Sequence, residues 1–387
     1  MSNKALKNKS FGIYVHIPFC ERVCIYCDFF VTTSRKYRPA FIESINREIH
    51  YVASQLEAPE ARTIYLGGGT PSFLEDGQIT SILNSIYGNF IKSENCEITI
   101  EVNPNNVNSE KLNEFNRSGI NRLSLGIQSL NDTELKSLYR THNGEQAVSA
   151  FVTARKAGFK NISVDVIFGL PGQTLENLQN TVTGIIEMDP EHISIYNLTI
   201  EEQTHLHKMV KAKKVVLLDD EREFEMFSWL SEYLEKSGYS QYEISNFAKD
   251  GFESKHNSSY WNGLSYLGFG PSAHSFDNSR RWWNVRDLSK YIAYAGIENQ
   301  KIIDAEENLN INERITEFLF LNLRQRKGIN KEIFLDAFGI SFDAMFEKAL
   351  SEAKPYINNT SDIVFLNQAG MFLYNQVCLL FVKNLNE

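Results

Sequence analysis

The strongest constraint on this chain is a repeated unit, in which a short apolar or alternating run is followed by an amphipathic helical pattern. Strand-like runs fall at 11–17, 63–66, 97–102, 122–127, 162–168 and 192–198. Helical patterns lie between them, among others at 38–53, 112–118, 144–157 and 175–188. Strands separated by helices join as a parallel sheet through right-handed crossovers. Six such units are too few for a closed eight-stranded barrel. They suit an α/β fold built as a partial, open (β/α)6 TIM-type barrel. In such barrels functional groups gather at the C-terminal ends of the strands.

Beyond the first run lies His-Ile-Pro-Phe-Cys-Glu-Arg-Val-Cys-Ile-Tyr-Cys-Asp-Phe-Phe, residues 16–30. It holds Cys20, Cys24 and Cys27, three of five cysteines. An odd, clustered set argues against a disulfide framework and for metal or redox chemistry in a reducing compartment. A zinc site needs four ligands, and the remaining cysteines, Cys96 and Cys378, are far off in sequence. A catalytic thiol needs one cysteine rather than three. An iron–sulfur cluster usually takes four thiolates, so three would leave one iron open to a substrate or cofactor. Spacing alone leaves these readings standing together. The net charge of −9 and pI near 5.5 give no footprint for a polyanion, which excludes nucleic acid as an expected partner. No run is long and apolar enough to span a bilayer, and the start, MSNKALKNKSFG, is basic without a signal core, so a cytoplasmic protein is expected.

The strand ends carry further signals. Gly67-Gly68-Gly69-Thr70-Pro71-Ser72 follows the second strand; such a run lets backbone approach a ligand, or simply makes a turn. Glu101 ends the third. Alternation puts Ile98, Ile100 and Val102 on one face and Glu97, Thr99 and Glu101 on the other. Glu101 could accept a hydrogen bond from a ribose hydroxyl or be a solvated acid. Gln128 ends the fourth strand, and Arg140 follows. Asp165 sits inside an apolar fifth strand, where it needs a partner: a ligand, or a salt bridge from Arg140 or Arg122.

Tyr14-Val15-His16-Ile17-Pro18-Phe19 followed by Cys-x3-Cys-x2-Cys resembles the radical S-adenosylmethionine (SAM) superfamily. The resemblance implies a [4Fe-4S] cluster on Cys20, Cys24 and Cys27, with SAM chelating the open iron through its amino and carboxylate groups. In that family an electron from the cluster cleaves SAM to a deoxyadenosyl radical, and the protein positions the cofactors. Tyr26 matches an aromatic that packs on the adenine, and Tyr14 belongs to the same motif. The stretch containing Gly68, Gly69 and Thr70 resembles the family's GGGTP motif, whose backbone meets the SAM amino group. Glu101, Gln128, Arg140 and Asp165 match SAM-pocket residues of the subgroup containing oxygen-independent coproporphyrinogen III oxidase.

Within that subgroup the oxidase would decarboxylate two porphyrinogen propionates. Its cysteine motif continues Cys-x-Cys, whereas Phe29 stands at that position here, and only a short tail precedes Cys20. Lys255-His256-Asn257-Ser258-Ser259-Tyr260-Trp261 instead resembles the His-Asn-x-x-Tyr-Trp signature of the HemW-type haem chaperones. So do the stretches at 242–248 and 268–275. Many relatives carry glycine where Tyr139 precedes Arg140. The resemblance implies haem binding by His256, Tyr260 and Trp261. Neutral imidazole is a common iron ligand and aromatics supply an apolar wall, but Tyr260 or His274 could ligate instead. The bland alternative is a hydrogen-bonded histidine with core aromatics.

The chain is long enough for two or more domains. The barrel is expected over 1–245, a connecting segment with the haem motif over 246–300, and a smaller, mainly helical domain over 301–387. The latter should hold helices at 312–324, 331–338 and 342–357, entered from the acidic 304–307, then a hairpin of 363–366 and 371–374 around Gly370, then an apolar helix. Cys96 and Cys378 read as structural thiols. The function expected is haem uptake and transfer to an acceptor haemoprotein such as a respiratory one, with the radical oxidase as the alternative. No residue is assigned a catalytic role, and SAM cleavage, dimerisation and membrane association through an acceptor are left open.

Overall fold

The computed structural model describes residues 10–278, 280–298, 301–383 and 385. Most of the basic tail lies outside them. The chain groups into two compact units, Met1–Leu218 with Leu264–Glu307, and Asp219–Gly263 with Asn308–Glu387. This grouping differs from the linear division expected at 245 and 300. The chain leaves the first unit after Leu218 and returns at Leu264, because Tyr266–Phe269 pairs in parallel with the first strand, Gly12 opposite Tyr266.

In the first unit the six expected strands form: β1 Ser10–Ile17, β2 Glu60–Gly68, β3 Ile91–Val102, β4 Arg122–Gln128, β5 Ile162–Phe168 and β6 His192–Asn197. Each pairs in parallel with the next, in sequence order. This is the parallel α/β arrangement the alternation implies. Beyond β1 the sheet continues through Tyr266–Phe269, His274–Asp277, Arg280–Asn284 and Ile303–Asn308. The acidic 304–307 therefore lies in an edge strand, not in a helix lead-in. Its side chains are mostly exposed, and Glu306 and Glu307 pair with Arg280 and Arg281 on the neighbouring strand. The connecting helices start where their sequences stop them unwinding. Asn143 and Gln146 form a capping box before Gly144–Lys156, and Pro39 sits in the first turn of Arg38–Ser54.

Alternation along β1–β6 sorts side chains by polarity. Ile98, Ile100, Leu123, Leu125, Val164 and Ile193 are buried on one face. The opposite face carries Thr99, Arg122, Ser124, Ser163, His192 and Ser194, also buried, with Glu101 and Asp165 partly buried among them. A packed TIM barrel fills that space with branched aliphatic side chains. Here it is filled with hydrogen-bonding groups, which calls for partners or ligands.

The second unit holds the helices Asp220–Lys236, Lys255–Trp261, Ile311–Leu323, Lys331–Phe338 and Tyr374–Lys383. The expected helix 342–357 is broken. It forms Phe342–Met345 and Glu347–Glu352, then a strand, Ile357–Asn359. Phe346 leaves helical geometry (φ −116°, ψ 25°) as its ring enters the core beside Phe334 and Phe381. The expected hairpin is also replaced. Ile363–Leu366 pairs with Ile357–Asn359 and Ile329–Asn330, whereas 371–374 is helical. Asn367 caps that helix by accepting from the Gly370 amide at 2.9 Å. Gly370 permits close packing, since a Cβ there would meet the Tyr356 carbonyl at 2.0 Å. Cys378 and Cys96 are buried, and all five cysteines are unpaired thiols. Among the described residues no helix is long and apolar enough to cross a membrane.

Candidate functional site

The cysteines lie on a loop whose base is tied shut. The Thr32 amide donates to the Pro18 carbonyl at 2.7 Å, and the Cys20 amide to the Thr32 carbonyl at 2.9 Å. His16 ties it again. Its Nε2 lies 2.8 Å from the Phe30 carbonyl and its Nδ1 3.0 Å from the Tyr14 hydroxyl. A carbonyl only accepts, so Nε2 carries the proton and Nδ1 accepts from Tyr14. Burial holds the His16 pKa down near 4, so the ring is neutral. No role for His16 follows from the cysteine motif alone. The signal was present as a tyrosine and a histidine two residues apart on the polar face.

Cys20 is buried, with its Sγ 3.6 Å from the Thr70 hydroxyl. Cys24 Sγ lies 3.6 Å from Arg140 Nη1, and the Cys27 amide donates to the Cys24 carbonyl at 3.3 Å. Burial pushes the Cys20 thiol up to about 12 and also raises Cys27, and each feels the charge of the other cysteines. The three thiols thus lie on one loop within reach of one another's charge, where bound iron would supply the positive charge that favours their thiolates. Among the described residues no three ligand side chains are close enough to share a single metal ion. Arg140 adds a second indication of a ligand. Its guanidinium donates to the Gly126 carbonyl at 2.6 Å, but its buried Nε has no protein partner. Burial alone would depress Arg140, yet Tyr26 and Cys24 leave it above the ordinary arginine value. These residues fit a cluster with an anionic ligand beside it.

The glycine run is pressed against this loop. Gly69 and Thr70 amides donate to the Ile17 and Phe19 carbonyls, both at 2.8 Å. Gly68 has φ +109°, and a Cβ there would meet His16 Nδ1 at 2.5 Å. Its amide donates to Glu101 Oε2 at 3.1 Å, and the Tyr65 hydroxyl donates to Oε1 at 2.9 Å. Glu101 is therefore partly buried and hydrogen-bonded rather than solvated, and desolvation pushes its carboxyl up to about 7. Burial and the Glu101 charge raise the Tyr14 hydroxyl as well.

Asp165 is met by a hydroxyl, with Ser124 Oγ at 3.1 and 3.0 Å from its two oxygens. Of the two readings, ligand or salt bridge, no direct ion pair to Arg122 or Arg140 is seen among the described residues; burial raises its pKa, and the serine hydroxyls and the two arginine charges oppose that. Gln128 lies beyond a register shift between β4 and β5, with φ +72°. Such a bulge re-aims a strand-end side chain. Tyr139 also takes the left-handed region, φ +63°, which gives a physical reason for glycine before this arginine. Tyr26 packs against Leu138, Ile167 and Leu170. Tyr14, Tyr26, Gly68, Glu101, Arg140 and Asp165 are linked to one another and to the cysteine loop through hydrogen bonds or charge, all within the first unit.

His256, Tyr260 and Trp261 lie on one short helix of the second unit. His256 is buried at 1% exposure, and its Nε2 is 2.8 Å from the Tyr260 hydroxyl, with the rings edge-on. Trp261 lies under the Arg324 guanidinium at 4.5 Å. His274, in the first unit, is exposed and stacked on Trp283.

With this geometry in hand, likeness to known proteins can be placed on it. A model of the radical SAM superfamily matches residues 14–183, and one of the HemN C-terminal domain matches 309–373. The chain is 36% identical to the heme chaperone HemW of Bacillus subtilis, covering 96% of this chain and 99% of that one. It is 34% identical to the heme chaperone HemW of Lactococcus lactis, covering 94% and 95%. The solved coproporphyrinogen III oxidase (HemN) of Escherichia coli superposes with a TM-score of 0.85 at 22% identity, covering 98% of this chain and 91% of that one, which establishes the fold.

Proposed function

The chain belongs to the HemW family of radical SAM proteins, and on that premise we propose that it is a haem chaperone, which takes up haem and passes it to an acceptor haemoprotein. The observation that carries this is full-length likeness to haem chaperones, coincident with the tied three-cysteine loop. Phe29 supports it against the oxidase: the residue at the fourth-cysteine position is a 65% exposed phenylalanine.

In this reading Cys20, Cys24 and Cys27 hold a [4Fe-4S] cluster, and Tyr14, Tyr26, Gly68, Gly69, Thr70, Glu101, Gln128, Arg140 and Asp165 surround SAM. The bound cluster would supply a low-potential electron. The chain's own residues bind and exclude water. Arg140 offers its buried, unpaired Nε to an anionic group beside Cys24. Glu101, with a carboxyl near 7, carries a proton or a charge according to what binds. Neutral His16 fixes the loop end at Phe30 without adding charge beside the sulfurs. The His256–Trp261 helix enters haem handling when Tyr260 releases His256, during hand-over rather than in the resting protein. The unpaired thiols suit a reducing cytoplasm, with a respiratory haemoprotein as acceptor and pairing of two copies during transfer.

The test is a haem titration of anaerobically prepared protein reconstituted with iron and sulfide, followed at the Soret band. One haem per chain, with no coproporphyrinogen turnover, is the expected result. Absence of haem binding, or porphyrinogen decarboxylation with SAM consumption, overturns the proposal.

A further inference from the structure

Resting on the haem-chaperone reading, we infer that haem docks on the sheet extension beyond β1, with the His274 imidazole as axial ligand and the Trp283 indole bracing it. The antiparallel pair His274–Asp277 and Arg280–Asn284 sets His274 opposite Trp283 and Phe276 opposite Arg281. Phe276 is in turn opposite Tyr266. Directly opposed residues share a face, and residues two apart share it too. One face therefore carries His274, Trp283, Arg281, Phe276 and Tyr266; Phe276 is buried under the Arg281 guanidinium, and His274, Trp283, Arg281 and Tyr266 reach solvent. The first two rings are nearly parallel, 23° apart with centroids 5.3 Å apart. The Tyr266 and Phe276 rings lie 6.1 Å apart.

This set has what a metalloporphyrin needs: an imidazole, aromatic surface for the macrocycle, and a cation for a propionate. The cation is Arg281, which pairs with Glu307 at 3.3 Å across the sheet edge and is partly exposed. A propionate would compete with Glu307 for it.

Two observations single out His274 over His256. First, access: His274 is exposed, whereas His256 is 1% exposed. Second, no hydrogen bond within the described structure engages a His274 ring nitrogen, whereas His256 Nε2 is held by Tyr260 at 2.8 Å. Iron ligation at His256 must first break that bond and uncover the ring, whereas at His274 no ring hydrogen bond among the described residues has to break. The stacked indole also fixes the ring plane, so little side-chain freedom is lost on binding. Partial burial and the Arg281 charge lower the His274 pKa, which keeps the ligating, neutral form at neutral pH.

The experiment compares wild type, His274→Ala, His274→Gly and His256→Ala, all cluster-loaded and titrated with haem, with axial ligation read from the visible spectrum and low-temperature electron paramagnetic resonance. His274→Ala is expected to lose the histidine-ligated signature and to weaken haem binding by about tenfold or more. Added imidazole should restore the signature in His274→Gly, which a merely structural role would not allow. Unchanged iron and sulfide content in the variants checks that the fold is intact. If wild type binds haem and His274→Ala keeps both affinity and signature, or if His256→Ala alone loses them, the docking site is wrong while the chaperone reading stands. If wild type takes up no haem, both fall.

Discussion

Strands β1–β6 and the C-terminal unit both shut out water, but with opposite materials. On the sealed face of the strands stand Glu101, Asp165, Arg122, His192 and a set of hydroxyls. In the second unit the equivalent volume is packed with phenylalanine. Phe334 alone touches Phe318, Phe338, Phe342 and Phe346, with centroids 4.8 to 5.9 Å apart. Close-packed rings stabilise and ask for nothing further. Buried polar groups destabilise unless something satisfies them, and several here, including Thr99 Oγ1, Arg122 Nε and Arg140 Nε, have no protein partner. The contrast teaches where to look for ligands: the phenylalanine interior holds the unit together, while the polar one is arranged around bound groups.

The comparison can be broken most sharply at the cysteines. Cys20→Ala, Cys24→Ala or Cys27→Ala should abolish cluster loading, read as iron and sulfide falling to background, while helical content of the second unit persists by circular dichroism. Retained cluster in any of the three would mean that residue is not a ligand. Next comes Phe334→Ala, expected to cost about 3–5 kcal/mol in urea unfolding by leaving a cavity among rings that cannot collapse. It should leave iron per folded chain unchanged. Equal losses of iron would show that the two interiors are not separate in kind.

A third prediction concerns a polar interior without a ligand. Glu48 accepts from the Tyr291 hydroxyl at 2.5 Å, the Asn284 amide at 2.7 Å and the Gly270 backbone at 2.9 Å. Burial still pushes its carboxyl up to about 7. A carboxyl raised on folding contributes stability that is complete below its unfolded value and is lost as pH rises through the folded one. Glu48→Gln lacks that loss, so its stability deficit against wild type should shrink between pH 5 and pH 8, by up to about 3 kcal/mol. A deficit independent of pH would contradict the assignment. The smallest effect is expected at Asn367→Ala, about 1 kcal/mol of second-unit stability through the lost cap, with haem and iron binding untouched.

Much of the first unit was legible because its signals are local. The run 162–168 is β5 to the residue, and Lys331–Phe338 is likewise the helix expected at 331–338. The three cysteines and the glycine run could be read because spacing along one loop survives folding unchanged. What could not be read depends on long-range pairing. Nothing local shows that Tyr266–Phe269 returns to β1, nor that Ile363–Leu366 prefers Ile329–Asn330 to its neighbour at 371–374. Asp165 was read as needing a ligand or an arginine; its protein partner Ser124 was not foreseen, because a hydroxyl one strand away leaves no periodic trace. His256 was legible as a motif, but its burial against Tyr260 was not, since a sequence does not tell which way a helix turns its face.

The most direct test is metal analysis with electron paramagnetic resonance on anaerobically reconstituted, reduced protein, before and after addition of SAM. About four iron and four sulfide per chain are expected, with a cluster signal that shifts when SAM occupies the iron left without a cysteine. Zinc or no metal at the loop, or a fully loaded cluster indifferent to SAM, would contradict a centre with one open corner.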